Sequence, residues 1–304
     1  MRTSWIALLA LALAALEGCK HEPGSVSLTT GALKAECDEA VFRAFENESA
    51  QFQSLYPDSK LTLRQAEARE AVSDFGADSC TVIITARELN KEEHDALTNA
   101  KVPLDEYKVA MSAVAVVTNP ANPLKRVRLT LLDSIFSGAV TRWPGGGIIE
   151  ALAGSRNSST NEVFRTTVLK DHDFGPTVDY MDSSSARLDR VSYTVGAIAL
   201  VPVTWLKGSE GKVTVLEVGA PGYRPDTAAA AGQYYTPAQA YVFLGYYPIT
   251  TPVYMYSRAV EQDVALGFIS FVSSAPGQKI VQNNGLVPVT MPVRLVSLTS
   301  QQVK

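Results

Sequence analysis

A short polar segment near the middle of the sequence carries residue types that bind tetrahedral oxyanions. Arg156 precedes three consecutive hydroxyl residues, Ser158, Ser159 and Thr160, and an apparent helix follows them. Hydroxyls and main-chain amides at the start of a helix donate hydrogen bonds to anions, and an arginine adds a full positive charge. The pattern also fits a capping box in which Ser159 and Glu162 satisfy the helix end internally. Both uses of the segment fit the sequence.

A second candidate segment, Thr85-Ala86-Arg87, follows a buried apolar strand. The Thr85 hydroxyl could donate to an anion, and the Arg87 guanidinium could pair with it. Alternatively, Arg87 pairs with the neighbouring carboxylate of Glu88 or Glu92 at the surface, where such pairs contribute little. The sequence is compatible with either partner.

The third candidate segment, Cys37-Asp38-Glu39-Ala40, opens the first predicted helix and is acidic. Asp38 is a natural N-cap, and its carboxylate would occupy the helix end that an anion would otherwise use. A bound dianion near Asp38 and Glu39 would be repelled by on the order of 1 kcal/mol per pair, even with strong screening. The turn therefore opposes an anion unless the bound species carries a proton that a carboxylate accepts.

Residues that would indicate catalysis or a bound metal are sparse. The three histidines, His21, His94 and His172, stand singly, and the cysteines lack metal-ligand spacing. Asp171-His172-Asp173 is interpreted as an exposed polar turn. Neither a Gly-x-Ser-x-Gly elbow nor a phosphate-cradling Gly-x-x-x-x-Gly-Lys loop occurs. The sequence therefore predicts a protein that is not an enzyme and needs no cofactor or metal.

Alternating strands and helices must position the three candidate segments. Ala32 to Cys37 and Thr81 to Thr85 are predicted strands, and Val41 to Leu55 has apolar residues at helical spacing. Repeated β-α-β units of this length predict an α/β fold with a parallel sheet covered by helices on both faces. In such sheets ligands bind at the carboxyl ends of the strands, beside the N-terminal ends of the helices.

The sequence begins with features of an exported protein. Arg2 precedes an apolar run from Trp5 to Leu16, which is long enough for a signal-peptide core. The run ends in Leu16-Glu17-Gly18-Cys19, which resembles the lipobox of bacterial lipoproteins. This resemblance implies that residues 1–18 are a signal peptide, that Cys19 carries lipid, and that residues 19–30 form a polar tether.

The remaining cysteines and the net charge set further limits. Cys37 and Cys80 either pair in an oxidising compartment or stay as buried thiols, although their positions at strand ends would hold them too far apart for a disulfide. The formal net charge is -4. This balance argues against a nucleic-acid partner and gives no long-range attraction for an anion, so any anion site must be local.

Five segments together resemble a single protein family, the phosphate-binding proteins of ABC phosphate importers. In order along the chain they are Leu132-Asp133-Ser134-Ile135-Phe136-Ser137-Gly138 with Trp143 after it, Arg156-Asn157-Ser158-Ser159-Thr160, Val195-Gly196-Ala197-Ile198, Tyr247-Pro248-Ile249, and Gly277-Gln278 with Gly285-Leu286-Val287-Pro288. Two departures stand out, because Ser159 replaces the family's glycine and an acidic turn at Asp38 replaces a turn rich in glycine or hydroxyl residues.

The resemblance implies a periplasmic binding protein fold of type II, with two α/β lobes, two crossover strands and a ligand cleft between the lobes. Residues 25–112 and 250–304 would form lobe I, and residues 120–245 would form lobe II. The crossovers are expected near Asn119-Pro120 and Tyr247-Pro248.

The resemblance also implies a function. We expect a membrane-anchored lipoprotein outside the cytoplasm that binds phosphate or a similar oxyanion and delivers it to an ABC permease. The alternatives are the same fold adapted to another small solute, an interaction role without phosphate, or, in a different functional class, a hydrolase. The expected ligand-binding residues are Thr85, Ala86, Arg87, Arg156, Ser158, Ser159 and Thr160, with the Asp38, Glu39 and Ala40 turn contributing little or opposing binding.

Overall fold

The computed structural model describes residues 27–219, 233–258 and 263–290. The expected signal peptide, Cys19 and most of the tether lie outside these residues. Within them, the strands are β1 (Gly31–Asp38), β2 (Ser59–Ala66), β3 (Val82–Thr85), β4 (Asp105–Thr118), β5 (Arg126–Arg128), β6 (Glu150–Ala153), β7 (Val178–Tyr180), β8 (Ala197–Pro202), β9 (Thr214–Val215), β10 (Glu217–Gly219), β11 (Thr250–Ser257) and β12 (Val287–Pro288).

The helices connect these strands in the alternating order that the sequence predicts. In the same described ranges they are α1 (Phe42–Leu55), α2 (Ala68–Gly76), α3 (Lys91–Asn99), α4 (Leu129–Phe136), α5 (Ser159–Thr167), α6 (Ser184–Tyr193), α7 (Gln239–Phe243), α8 (Val264–Ser273) and α9 (Ala275–Asn283), with a short 3-10 turn at Val203–Trp205.

A mixed sheet runs through the molecule in the order β2-β1-β3-β11-β4-β8-β6-β7. Strands β1, β2 and β3 are parallel, and so are β6, β7 and β8. Strand β11 is antiparallel to both β3 and β4, and β4 is antiparallel to β8. Two parallel α/β units are therefore joined through the central antiparallel strands. We call the unit that contains β1, β2 and β3 lobe I, and the unit that contains β6, β7 and β8 lobe II.

The chain crosses between the lobes within β4. Its residues up to Ala113 pair with β11, whereas Val114 to Thr118 pair with β8. Only the first four residues of β4, Asp105 to Lys108, are exposed or half-buried, and the strand is largely buried from Val109 onwards. The crossing lies before Asn119, which begins the turn at the end of β4.

Aromatic packing explains why the C-terminal helices join the start of the chain. The Phe52 ring of α1 meets the Phe268 ring of α8 edge-on at 5.5 Å and lies 5.7 Å from Phe271. Such ring pairs add about 0.5–1.5 kcal/mol to the burial of their area. Lobe I is therefore built from both ends of the described chain.

The two cysteines of the described chain are free and buried. Cys37 lies opposite Ile84 in the parallel register of β1 and β3. Cys80 lies four residues before Ile84, just ahead of the first residue of β3. This offset separates the two thiols, as their predicted positions at opposite strand ends indicated. Burial raises the pKa of the Cys37 thiol well above its usual range, and the charge of Asp38 adds to this effect.

Among the described helices, none by itself is long and apolar enough to cross a membrane. Helices α8 and α9 together meet the requirements of length and composition, but they meet at a 66° bend.

Candidate functional site

The carboxyl ends of β1 and β3 meet at the Asp38 carboxylate. Its Oδ1 accepts a hydrogen bond from the Ala40 amide at 3.0 Å, and its Oδ2 accepts one from the Ala86 amide at 3.1 Å. Asp38 is fully buried. Two main-chain N-H groups from adjacent strand ends therefore converge on one carboxylate, which is the arrangement that binds small oxyanions in proteins.

Hydroxyl groups of lobe II face this carboxylate from the start of α5. Ser159, Thr160, Ala40 and Ala86 line one small void between the lobes, with a volume of about 10 Å³. That volume holds at most one water molecule. Ala40 and Ala86, whose amides donate to Asp38, therefore line the same void as Ser159 and Thr160 of lobe II.

Glu39 extends from the same turn into lobe II. Its Oε1 accepts a hydrogen bond from the Ser184 amide and its Oε2 accepts one from the Ser184 hydroxyl, both at 3.0 Å. Ser184 begins α6, so the carboxylate lies at the positive end of that helix. The Thr204 hydroxyl donates to the Ala40 carbonyl, and the Trp205 indole donates to the Glu39 carbonyl. These contacts hold the acidic turn of lobe I against lobe II.

A buried arginine supports the Glu39 contact from within lobe II. Arg187 is 1% exposed and donates to the Leu200 and Met181 carbonyls and to the Ser184 hydroxyl. Burial lowers the pKa of Arg187, and the charge of Glu39 is the strongest of the opposing influences. Arg187 therefore supplies the positive charge that the buried Glu39 needs.

The guanidinium of Arg87 is committed to carboxylates. It forms two hydrogen bonds of 2.7 Å with Glu93, and its Nε lies 3.0 Å from Glu162 in lobe II. The Thr85 hydroxyl donates to the Arg87 carbonyl at 2.7 Å. The alternative partners of Arg87, the surface carboxylates of Glu88 and Glu92, are wrong, because Arg87 is buried and pairs with Glu93 and with Glu162 of lobe II.

Arg156 points away from the small void. Its guanidinium lies 4.2 Å above the ring of Tyr180, and its side chain lines a separate open pocket of about 410 Å³. The structure therefore does not bring Arg156 together with Ala40 and Ala86.

Comparison with known proteins assigns the chain to a family. A family model described as a PBP superfamily domain matches residues 24–276. The chain belongs to the PBP superfamily. The predicted resemblance is thereby confirmed.

Curated relatives of this superfamily member have low sequence identity. The phosphate-binding protein PstS of Bacillus subtilis is 26% identical over 203 residues, a match that spans 66% of this chain and 62% of that protein. A protein of the same name from Pseudomonas aeruginosa is 20% identical, with 93% of this chain and 91% of that protein covered.

Solved structures confirm the predicted fold class. A putative phosphate ABC transporter substrate-binding protein from Clostridium perfringens, with bound phosphate, superposes with a TM-score of 0.72 at 20% identity, covering 86% of this chain and 100% of that one. An ABC-type phosphate transport receptor from Vibrio cholerae superposes with a TM-score of 0.65 at 18% identity, covering 86% and 100%. At these identities the superpositions establish the two-lobed type II periplasmic binding protein fold.

In this superfamily member, burial has the largest effect on the pKa values of the two carboxyl groups in the acidic turn, Asp38 and Glu39. Burial raises the pKa of Asp38, and the Ser159 hydroxyl and the amides of Ala40 and Ala86 only partly offset it. The Ser159 hydroxyl is close enough to affect Asp38, but its buried oxygen forms no hydrogen bond that meets the distance and angle limits. Burial likewise raises the pKa of Glu39, against the charge of Arg187 and the donors of Ser184.

Two sequence interpretations of helix starts need correction. The N-cap of α5 is Ser158, whose hydroxyl oxygen accepts from the Asn161 amide at 3.3 Å, so the expected capping box of Ser159 and Glu162 is wrong. Ser159 already belongs to the helix, and Glu162 points to Arg87. The N-cap position of α1 is Val41 instead of Asp38, because a tight turn separates Asp38 from the helix.

Sequence reasoning missed Ser184 and Arg187. The signal that could have found them is the run Asp182-Ser183-Ser184-Ser185, which is typical of a helix N-terminus. The Ser183 hydroxyl indeed caps α6 by accepting from the Ala186 amide. Among the described residues, no cluster of three or more His, Cys, Asp and Glu side chains has the arrangement of a metal site.

Proposed function

We propose that this chain is the extracytoplasmic solute-binding component of an ABC importer, and that it binds phosphate or a similar oxyanion in the cleft between its lobes. One observation carries the proposal: the Ala40 and Ala86 amides hold a carboxylate directly opposite the hydroxyl residues that open α5. A carboxylate is itself an oxyanion, so this position suits one. The named functions of the relatives support the same reading.

Binding at this position requires Asp38 to give way. An incoming anion must take over the hydrogen bonds of the Ala40 and Ala86 amides, and the Asp38 carboxylate must swing aside or accept a proton. Protonation removes the repulsion and turns the carboxyl group into a donor. The raised pKa of Asp38, which follows from its burial, favours that protonation. We therefore propose that binding is coupled to the lobes parting around the acidic turn.

A second candidate function follows from the same crowding. The void beside Asp38 measures about 10 Å³, and two carboxylates, Asp38 and Glu39, already satisfy the donors of both lobes. These facts favour a cleft adapted to a solute other than a free dianion. Titration with several anions separates the two candidates.

Isothermal titration with phosphate, sulfate and small carboxylates tests the proposed function. We expect phosphate to bind, and Thr160→Ala to weaken it by about tenfold or more, because a hydrogen bond to a charged group contributes about 1.5–3 kcal/mol. Thr166→Ala, on the exposed face of the same helix, is the matched control and should leave the affinity unchanged. Binding of a carboxylate but not of phosphate would favour the second candidate, and binding of none would refute both.

The proposed location rests on the Leu16-Glu17-Gly18-Cys19 segment. We propose that lipid on Cys19 anchors the protein to the membrane outside the cytoplasm, beside its permease, and that it performs no catalysis. Cys19→Ala should therefore move the protein from the membrane fraction to the soluble fraction of the producing cell. A variant that stays with the membrane would show that a different feature provides the anchor.

A further inference from the structure

An open pocket lined by arginines lies between the two lobes. It measures about 410 Å³, and its walls include Arg69 of lobe I together with Arg156, Glu162, Arg165, Phe174 and Tyr180 of lobe II. Helix α5 separates the two spaces, since Ser159, Thr160 and Val163 line the small void whereas Asn161, Glu162 and Arg165 line this pocket. The arginine pocket is therefore distinct from the position that Asp38 fills.

The charges around the arginine pocket leave one cation unpaired. Arg69 lies 3.8 Å from Glu162, but that carboxylate is held more closely by Arg87, at 3.0 Å. Arg165 lies 3.7 Å from Asp171. Within the described chain, Arg156 has neither an ion-pair nor a hydrogen-bond partner and makes only its contact with the Tyr180 ring. Asp173 also lines the pocket, so its three guanidinium groups outnumber its two carboxylates and leave a net positive charge for a ligand.

The shape and walls of the pocket indicate the size of that ligand. Pockets for organic small molecules typically measure about 300–1,000 Å³, so this one has the volume for more than an inorganic ion. Phe174 and Tyr180 pack edge to face at 6.1 Å and give one wall an aromatic surface. Three guanidinium groups suit a tetrahedral group with several charged oxygens, which arginine binds through paired N-H donors.

We propose that the arginine pocket binds a small phosphate monoester, with its phosphoryl group among Arg69, Arg156 and Arg165 and its organic part against Phe174 and Tyr180. This inference goes beyond the proposed function, since it places an organic phosphate in a second pocket, which α5 separates from the position that Asp38 fills. Arg69 comes from lobe I and the other residues come from lobe II, so the ligand bridges the lobes.

The test is calorimetric titration of the full protein with glycerol 3-phosphate, inorganic phosphate, glycerol and glycerate. We expect glycerol 3-phosphate to bind at least about tenfold more tightly than inorganic phosphate, and glycerol and glycerate to bind weakly or not at all. Arg69→Ala should weaken glycerol 3-phosphate binding by about tenfold or more, and Arg69→Lys should restore part of it, because it keeps the charge without the planar fork. The matched control is Arg126→Ala, at an exposed arginine of lobe II outside the pocket.

Three results would overturn the inference. One is glycerol 3-phosphate binding no more tightly than inorganic phosphate, and another is binding that Arg69→Ala leaves unchanged in a variant with the melting temperature of the parent protein. Tighter binding of glycerate than of glycerol 3-phosphate would also contradict it. If inorganic phosphate still binds and depends on Thr160, the proposed function survives this failure; if no oxyanion binds, both fail.

Discussion

Replacing Arg187 with methionine is expected to lower the free energy of unfolding by about 3–5 kcal/mol, because it leaves a buried carboxylate without its positive partner. Arg187 is 1% exposed, so water cannot replace the contacts that its guanidinium makes. The Leu200 and Met181 carbonyls would lose their donor, and Glu39 would lose the buried positive charge that opposes the rise in its pKa. Urea unfolding monitored by circular dichroism measures the change.

Two further variants identify the cause of that loss. Arg190→Met, one turn later on α6, removes an exposed arginine paired with Glu150 and should cost less than about 1 kcal/mol. In a Glu39→Gln background, Arg187→Met should cost at least about 1 kcal/mol less than it does alone, since the unpaired charge is gone. Equal losses of unfolding free energy in Arg187→Met and Arg190→Met would contradict the role assigned to Arg187. So would a loss for Arg187→Met that is the same with Glu39 as with Gln at that position.

Replacing Glu48 with glutamine is expected to stabilise the protein by about 1–3 kcal/mol at pH 7. Glu48 is fully buried in α1, and neither carboxylate oxygen has a hydrogen-bond partner within hydrogen-bonding limits. Burial raises its pKa to about 9, and the nearby Val281 amide opposes this only slightly. Folding at pH 7 must therefore keep Glu48 protonated, whereas the unfolded chain ionises it.

The sign of the pH dependence follows from the raised pKa. The folded state holds the Glu48 proton up to about pH 9, whereas a carboxyl with the ordinary value of 4.5 has released it. The stability that this proton provides is complete below pH 4.5 and is lost as the pH rises towards 9. Glu48→Gln should flatten that part of the stability profile. Glu46→Gln, on the exposed face of the same helix, should not, and a parallel profile for Glu48→Gln would contradict the assignment.

The regular elements that could be predicted are those with a strong hydrophobic period. Helix α1 and strand β3 match their predicted ranges closely, because their apolar residues recur at the spacing of the buried face. Helix α6 was missed because its sequence is polar, and because one of its buried residues is Arg187, a type that normally indicates exposure. Strands β6 and β7 are too short to show a period.

The site was only partly predictable, because its contacts join distant parts of the chain. The sequence placed a carboxylate in the turn after β1, and the Asp38 carboxylate accepts the Ala40 amide there. Its second donor, Ala86, follows a different strand 48 residues later, and Glu39 meets Ser184 at a separation of 145 residues. No local pattern specifies such pairs. The orientation of Arg156 depends likewise on Tyr180, which only the folded lobe brings near.

The phosphate affinity of Asp38→Asn tests the proposed role of the acidic turn most directly. We propose that the Asp38 carboxylate occupies the oxyanion position and repels a solute there. An uncharged side chain of the same shape should therefore raise phosphate affinity by about tenfold or more. Asp58→Asn, which removes an exposed carboxylate of lobe I, should leave the affinity unchanged. A large loss of affinity in Asp38→Asn would contradict the account, because the carboxylate would then be a ligand for the solute and not its substitute.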